Sequence, residues 1–158
     1  MRDRPPRLRW QQFFNSFHAQ CAQLTTSSKD ITGAARALIG SATAFSAIAA
    51  AGLTTNGLVI GSGETPFSML DYKLQTQVTA NITHSAVQIV NESFGLNGWR
   101  VNIIRSFTNA TGATLEIKEV GWYGIHSVYN FLFERTLYSL SVLNTKIVTL
   151  TLRLSAGA

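Results

Sequence analysis

From residue 57 onward, apolar and polar residues alternate in short runs, which is the pattern of half-buried β-strands. In the clearest run, residues 147–154, valine or leucine occupies alternate positions from 148 onward, with threonine or arginine between them. Further runs lie at 58–60, 73–79, 86–90, 99–108, 114–120 and 128–135, with turn-forming residues at 95–98, 109–113 and 144–145. Many short strands without helices between them predict an antiparallel β-sandwich of jelly-roll-like form.

Residues 105–120 carry the most specific structural prediction. Two alternating runs flank a turn at 109–113, in which Gly112 can take a positive φ. The runs are expected to pair as a hairpin with Phe107 opposite Leu115, because a shift of one residue would move a whole apolar set into water.

This register turns two charged residues, Arg105 and Glu119, toward the apolar face as diagonal neighbours about 7 Å apart. Buried charges persist when they are paired and hydrogen-bonded. We therefore expect a structural ion pair between Arg105 and Glu119. Arg135 is expected to join it, because its strand neighbours Phe131 and Phe133 are apolar. The alternative is that Glu119 is a functional carboxylate in a cleft.

The N-terminal segment follows a different pattern. Its apolar residues recur at the three- and four-residue spacing of a helix over residues 8–24. We predict a basic arm with an amphipathic helix at residues 1–27 and a sandwich domain at residues 28–158. The residues expected to dock the arm on a partner or on the sandwich are Arg2, Arg4, Arg7, Arg9, Trp10, Phe13, Phe14 and Phe17.

Charge is scarce and unevenly placed. Charged residues make up 13 % of the chain, against roughly 25 % in an ordinary globular domain. Ser, Thr and Asn replace them, a composition typical of β-sheet faces packed in an assembly, so we expect a homo-oligomer. The net charge of +5 is concentrated in residues 1–36. This basic arm could bind an acidic protein surface or nucleic-acid phosphates.

The sequence offers little catalytic chemistry. Cys21 is the single cysteine, and His18, His84 and His126 are dispersed without metal-ligand spacing. The glycines of residues 61–64 lack the lysine and following helix of a phosphate-binding loop. The longest uncharged run is rich in small and hydroxyl residues, which is unfavourable for a membrane span. We expect no enzyme, no cofactor, no metal and no membrane association.

An aromatic cluster offers two interpretations. Trp122, Tyr123 and Tyr129 could line a surface for a glycan or peptide, with Phe131 and Phe133 close by in the sequence. The same residues could instead pack in the core or between subunits, because large aromatic side chains are usually buried.

Several segments together resemble a known family. They are residues 57–63 (GLVIGSG), 71–74 (DYKL), 105–112 (RSFTNATG), 115–121 (LEIKEVG), 135–137 (RTL) and the Thr-rich run 148–154. Over about residues 28–155 the chain resembles the small β-rich virion structural proteins of tailed bacteriophages, which are head or tail appendage components.

The resemblance implies a structural protein located in the virion, with capsid, portal or tail proteins as partners. Two alternatives remain open. One is a receptor- or glycan-binding appendage protein, and the other is a small glycoside-active enzyme, which would need two carboxylates converging in a cleft.

Overall fold

The computed structural model describes residues 26–38, 46–68, 70–94 and 98–156. The expectation of a mainly β chain with antiparallel strands is confirmed, and these residues contain no helix. The predicted helical arm lies outside them, and its expected end at residue 27 falls within the first strand. The strands are β1 (Thr26–Lys29), β2 (Ala35–Leu38), β3 (Gly57–Gly61), β4 (Ile82–His84), β5 (Gln88–Phe94), β6 (Gly98–Asn109), β7 (Leu115–His126), β8 (Tyr129–Val142) and β9 (Ile147–Ala156).

Seven of these strands form two antiparallel sheets. In the β7 sheet the order is β3-β7-β8, so β3 and β8 are its edges. In the β6 sheet, β4 and β5 pair with successive parts of β6, and β9 pairs along its other side. The remaining strands, β1 and β2, form a separate hairpin.

The two sheets share one apolar core. Leu58, Ile60 and Ile117 of the β7 sheet pack in the same cluster as Ile103 and Phe107 of the β6 sheet. All five side chains are almost fully buried. Burial of side chains of this size contributes about 1.5–3 kcal/mol each, so this shared layer is the main source of stability.

The β7 sheet is covered on its other face as well. Residues 62–68 and 70–78, here called the outer loop, lie over that face, where Leu74 packs with Val59, Tyr123 and Leu132. At the end of β2, Leu38 packs on aromatic side chains of β8. The central strand β7 is therefore buried from both sides, which explains why side chains of both its faces are inaccessible.

The β1–β2 hairpin is closed by an aspartate. The carboxylate of Asp30 accepts hydrogen bonds from the backbone N–H groups of Thr32 and Ala34 and from Nε of Arg36, the last at 2.7 Å. Burial alone would raise the pKa of Asp30, but these hydrogen bonds outweigh it and lower the pKa to about 2. The Arg36 guanidinium lies 4.1 Å from the ring centre of Tyr129 and so joins the hairpin to β8.

The predicted hairpin between residues 105 and 120 is wrong. The strands β6 and β7 lie in different sheets, and Phe107 pairs with Val148 rather than with Leu115. The turn instead carries the chain from one sheet to the other, and Gly112 has the expected positive φ, +83°. The Asn109 side chain fixes this crossing by donating hydrogen bonds to the carbonyls of Ala113 and Val142, both at 2.8 Å.

Candidate functional site

A buried ion pair joins strands β7 and β8 on the face of the β7 sheet that the outer loop covers. Nε of Arg135 lies 2.7 Å from Oε2 of Glu119, and the two side chains are 2 % and 0 % exposed. The same guanidinium donates to Oδ2 of Asp71 at 2.8 Å and to the carbonyl of Thr65 at 2.9 Å. Arg135 therefore connects the sheet with the first part and the middle of the outer loop.

Glu119 also holds the outer loop on the sheet, through backbone N–H groups of the loop. Its carboxylate accepts hydrogen bonds from the backbone N–H groups of Gly63, Gln75 and Thr76, at 3.2, 3.1 and 2.7 Å. A Cβ atom at Gly61 or Gly63 would lie within 2.6 Å of the same carboxylate. The two glycines are therefore required at these positions because the carboxylate occupies the space of a side chain.

The orientation of Glu119 results from a break in the strand pattern. Ile117 and Val120 both pack in the core between the sheets, although they are three residues apart. Strict alternation would place them on opposite faces. The register between β7 and β8 shifts between Ile117 and Glu119, which turns Glu119 toward the outer loop.

The guanidinium of Arg105 is fully buried, and its partners among the described residues are all carbonyl oxygens. It donates to the carbonyls of Asn56 and Leu58 at 3.0 and 2.9 Å, and to that of Ser85 at 2.9 Å. The carbonyls of Ala50 and Leu53 accept further bonds. Burial lowers the pKa of Arg105. Its side chain organises the loop between residues 50 and 58 against the β6 sheet.

The predicted direct ion pair between Arg105 and Glu119 is therefore wrong. Arg105 points into the core between the sheets, whereas Glu119 points to the opposite face of the β7 sheet. The prediction assumed a hairpin and strict alternation, and the structure has neither at this point. Arg135, expected as a third member, is the partner that Glu119 has.

His84 is a second buried polar residue of the β6 sheet. The residue is 2 % exposed, and neither ring nitrogen has a hydrogen-bond partner among the described residues. The ring packs edge-on against Phe107, with centres 5.1 Å apart. Burial, and then the nearby charge of Arg105, lower the pKa of His84. No cluster of three or more metal-ligating side chains occurs among the described residues, so His84 has no metal-site context there.

An open groove of about 580 Å³ lies between the two sheets where their edge strands β8 and β9 face each other. One wall carries Trp122 of β7 and Glu134 and Tyr138 of β8. The opposite wall is β9, with Leu150 and Leu152. Its further lining residues on these strands are Thr136, Thr149, Thr151, Arg153 and Ser155. This volume is within the roughly 300–1,000 Å³ range of ligand sites.

The three aromatic residues considered for a ligand surface are not placed together on one. Trp122 lines the groove, and its buried indole N–H has no hydrogen-bond partner within the described part of the chain. Tyr123 is 1 % exposed, and its hydroxyl accepts a hydrogen bond from the backbone N–H of Leu74. Its inclusion in a ligand surface is therefore wrong, because it points to the outer face. Tyr129 lies under Arg36.

The docking residues Arg2, Arg4, Arg7, Arg9, Trp10, Phe13, Phe14 and Phe17 lie outside the described residues. Within the described part of the chain, no helix is long and apolar enough to cross a membrane. Comparisons of the chain with protein-family models, curated proteins and solved structures find no match.

Proposed function

We propose that the chain is a structural protein of a virion, a jelly-roll-like β-sandwich that assembles with copies of itself into a capsid- or tail-associated component. In this proposal the basic N-terminal arm anchors the domain to a capsid, portal or tail protein. The segments that resemble phage virion proteins support a scaffold role. Three of them supply Asp71, Glu119 and Arg135, and these residues hold the outer loop on the β7 sheet.

The observation that carries the assembly proposal is the position of two strand edges, those of β8 and β9, which pair with no further strand among the described residues. The edges of β8 and β9 flank the same side of the molecule, with the groove between them. Near the β8–β9 turn, Leu143 and Ile147 are about 60 % or more exposed. Unpaired edges and exposed apolar side chains are the features through which β-domains bind another chain.

The assembly proposal is tested by the mass of the full chain over a wide concentration range. We expect an oligomer whose population rises with concentration, and a shift toward the monomer in the Leu143→Lys/Ile147→Lys variant. Val128→Lys is the matched control, because Val128 is equally exposed but lies at the β7–β8 turn. A strictly monomeric chain at all concentrations would contradict the proposal. The location in the virion is tested separately by mass spectrometry of purified particles.

A receptor- or glycan-binding role is the second candidate, and the groove favours it. Trp122 and the half-exposed Tyr138 are side chains on which a sugar ring can stack, and Thr136 between Glu134 and Tyr138 can bind its polar groups. Glu134 is the one carboxylate among the groove's described lining residues, so the pair required by a glycosidase is missing there. Binding of oligosaccharides that is lost in Tyr138→Ala would support this candidate.

A further inference from the structure

We propose that the free edge of β9 pairs with β9 of a second copy of the chain, antiparallel and about a two-fold axis at Thr151. The two β6 sheets then join into one sheet of eight strands, four from each copy. This inference deepens the assembly part of the proposed function and rests on it, because it names the strand and the register through which two copies meet.

The first step is the direction of the backbone groups of β9. Hydrogen-bonded and non-hydrogen-bonded pairs alternate along an antiparallel ladder. The N–H of Asn109 donates to the carbonyl of Lys146 at 2.9 Å, directly beyond the last pair of the ladder. That last pair, Thr108 with Ile147, is therefore non-hydrogen-bonded. From there, even-numbered residues of β9 turn their N–H and C=O groups to β6, and odd-numbered residues turn theirs to the free edge.

The second step is the lack of protection of this edge. β9 pairs with β6 over ten residues without a register shift, and it contains no proline and a single charge, Arg153. Nε of Arg153 donates to Oδ1 of Asn102 at 3.3 Å, and the hydroxyls of Thr149 and Ser106 lie 2.7 Å apart. Both side chains of β9 therefore bond to β6. Edge strands are ordinarily guarded by charges, prolines or bulges, so β9 is open to pairing with another strand.

The other sheet edges are covered or divided. The edge of β3 is bridged by the outer loop at Gly61, which pairs with Gln77. The edge of β8 accepts a hydrogen bond from the N–H of Ile31 at the carbonyl of Asn130, 2.9 Å away. Beside β6, the edge opposite β9 is divided between the short strands β4 and β5. Among the described residues, β9 thus offers the longest continuous edge for pairing with another copy.

The third step is the register that two copies of β9 can adopt. Odd-numbered residues must face odd-numbered residues, because these carry the outward N–H and C=O groups. Antiparallel pairing with Thr151 opposite its copy overlaps residues 147–155 completely and places Arg153 opposite Thr149 of the second copy. The two Arg153 residues then lie about 14 Å apart along the strands, beyond the screening length of about 8 Å at physiological ionic strength. A register with Arg153 opposite its own copy would shorten the overlap and oppose like charges, so it is disfavoured.

The register is tested by a disulfide across the two-fold axis. The full chain carries Cys21→Ser, which removes the single native cysteine, and then Thr151→Cys. Directly opposite residues of a hydrogen-bonded pair have Cα atoms about 5.5 Å apart, which is within the range that a disulfide spans. Ser155→Cys in the same background is the control, because Ser155 is exposed on the same face of β9. Its two copies would lie about 27 Å apart. After mild oxidation we expect the yield of covalent dimer to be about tenfold higher at residue 151 than at residue 155.

The outcomes separate this inference from the proposed function. Preferential cross-linking at residue 151 supports the β9 pairing. Absence of the covalent dimer, or equal yields at residues 151 and 155, overturns it. If the same chain still forms an oligomer whose population rises with concentration, assembly stands and occurs through another surface. A chain that is monomeric at all concentrations overturns both.

A second measurement avoids engineered cysteines. Thr151→Pro removes one outward N–H but leaves the groups that bond to β6, and proline is tolerated on such edges. We expect it to raise the dissociation constant of the dimer about tenfold, measured by analytical ultracentrifugation. The control Thr151→Val keeps the N–H and a β-branched side chain, and it should leave the constant unchanged. An unchanged constant in a Thr151→Pro chain that still unfolds cooperatively overturns the inference. If that variant does not fold, the cross-linking result decides.

Discussion

At the scale of single residues, the protein stabilises two buried guanidinium groups in different ways. Arg135 binds carboxylates of Glu119 and Asp71. Arg105 binds only backbone carbonyls, whose dipoles supply the negative potential. The first arrangement neutralises charge between a sheet and its covering loop, and the second fixes the path of a loop. Removing a charged partner should therefore lower the free energy of unfolding most in the pair of Arg135 with Glu119, where a full buried charge would be left behind.

The Glu119–Arg135 pair should show strong energetic coupling. Arg135→Met leaves the buried carboxylate of Glu119 without its charged partner, so it should lower the free energy of unfolding by about 3–5 kcal/mol. Glu119→Gln leaves Arg135 with the carboxylate of Asp71, so it should cost less. The double variant Glu119→Gln/Arg135→Met should lose less than the sum of the two, because no charge of the pair remains stranded. Urea unfolding of the four chains measures the coupling energy.

The matched control for this cycle is the exposed pair of Lys118 with Glu64, on the same side of the sheet. Solvent screens such a pair, so Glu64→Gln should change stability little. A coupling energy near zero for Glu119 and Arg135 would contradict the assigned role of the buried pair.

His84 should make the protein sensitive to mild acid. Its pKa is lowered from 6.5 in the folded chain, so the folded state favours the neutral ring. The unfolded chain binds the proton more readily, so stability is complete above pH 6.5 and declines as the pH falls below it. His84→Leu should have a smaller loss of unfolding free energy between pH 6.5 and 5, measured by urea unfolding. Asp30 does not contribute in this interval, because its pKa moves from 3.8 to about 2. Equal losses in both chains would contradict the assignment.

At the scale of elements, the alternation of apolar and polar residues predicted the positions of most strands, because the two faces of each strand lie in different environments. The runs that predicted β5, β6, β8 and β9 each overlap the observed strand. The run at 73–79 is not a strand: its residues up to 78 lie in the outer loop, and their pairing with β3 amounts to the isolated bridge of Gln77 with Gly61. The short strands β1, β2 and β4 gave no signal, because three or four residues are too few to show a period.

The buried charges were visible in the sequence, but their partners were not. Arg105 and Glu119 stand among apolar residues, which marks both as inward-facing. Predicting their partners required knowledge of which strands are neighbours in a sheet. Adjacency in the chain was misleading here, because β6 and β7 lie in different sheets. Asp71 was missed as a partner of Arg135, although its motif was recognised. The sequence signal for this site was the pair of glycines at 61 and 63, which leave room for the carboxylate of Glu119. That signal is apparent only when Glu119 is placed beside them.

The position of the outer loop on the sheet should depend on Gly61 and Gly63. In Gly61→Ala, the new Cβ would lie 2.5 Å from Oε1 of Glu119 and 2.6 Å from the carbonyl of Thr76, so the loop must move away from the sheet. We expect a loss of about 1–3 kcal/mol or more, together with faster proteolysis within residues 62–78. Gly112→Ala is the control, because no atom lies within 4 Å of its new Cβ. It should leave proteolysis of the outer loop unchanged, despite the strain of its positive φ.

At the scale of the whole molecule, the β6 sheet depends on its last strand. β9 pairs with β6 over residues 147–156 and adds Val148, Leu150, Leu152 and Leu154 to the shared core. A chain ending at residue 146 should therefore lose cooperative thermal unfolding, measured by circular dichroism. A chain that starts at residue 26 keeps all these contacts and should still unfold cooperatively. Cooperative unfolding of the first chain at an unchanged Tm would contradict the dependence on β9.

The crossing between β6 and β7 has a consequence for the order in which the protein can be made. Because these neighbours in sequence do not pair, β7 needs β3, synthesised more than fifty residues earlier, and β6 needs β9, which leaves the ribosome after every other strand. The first sheet can close before β9 is synthesised, but the second keeps an open edge until residues 147–156 have left the ribosome. Such non-local pairing slows folding and prolongs the exposure of unpaired strands. The protein is therefore most vulnerable to aggregation before residues 147–156 have been synthesised and have paired with β6.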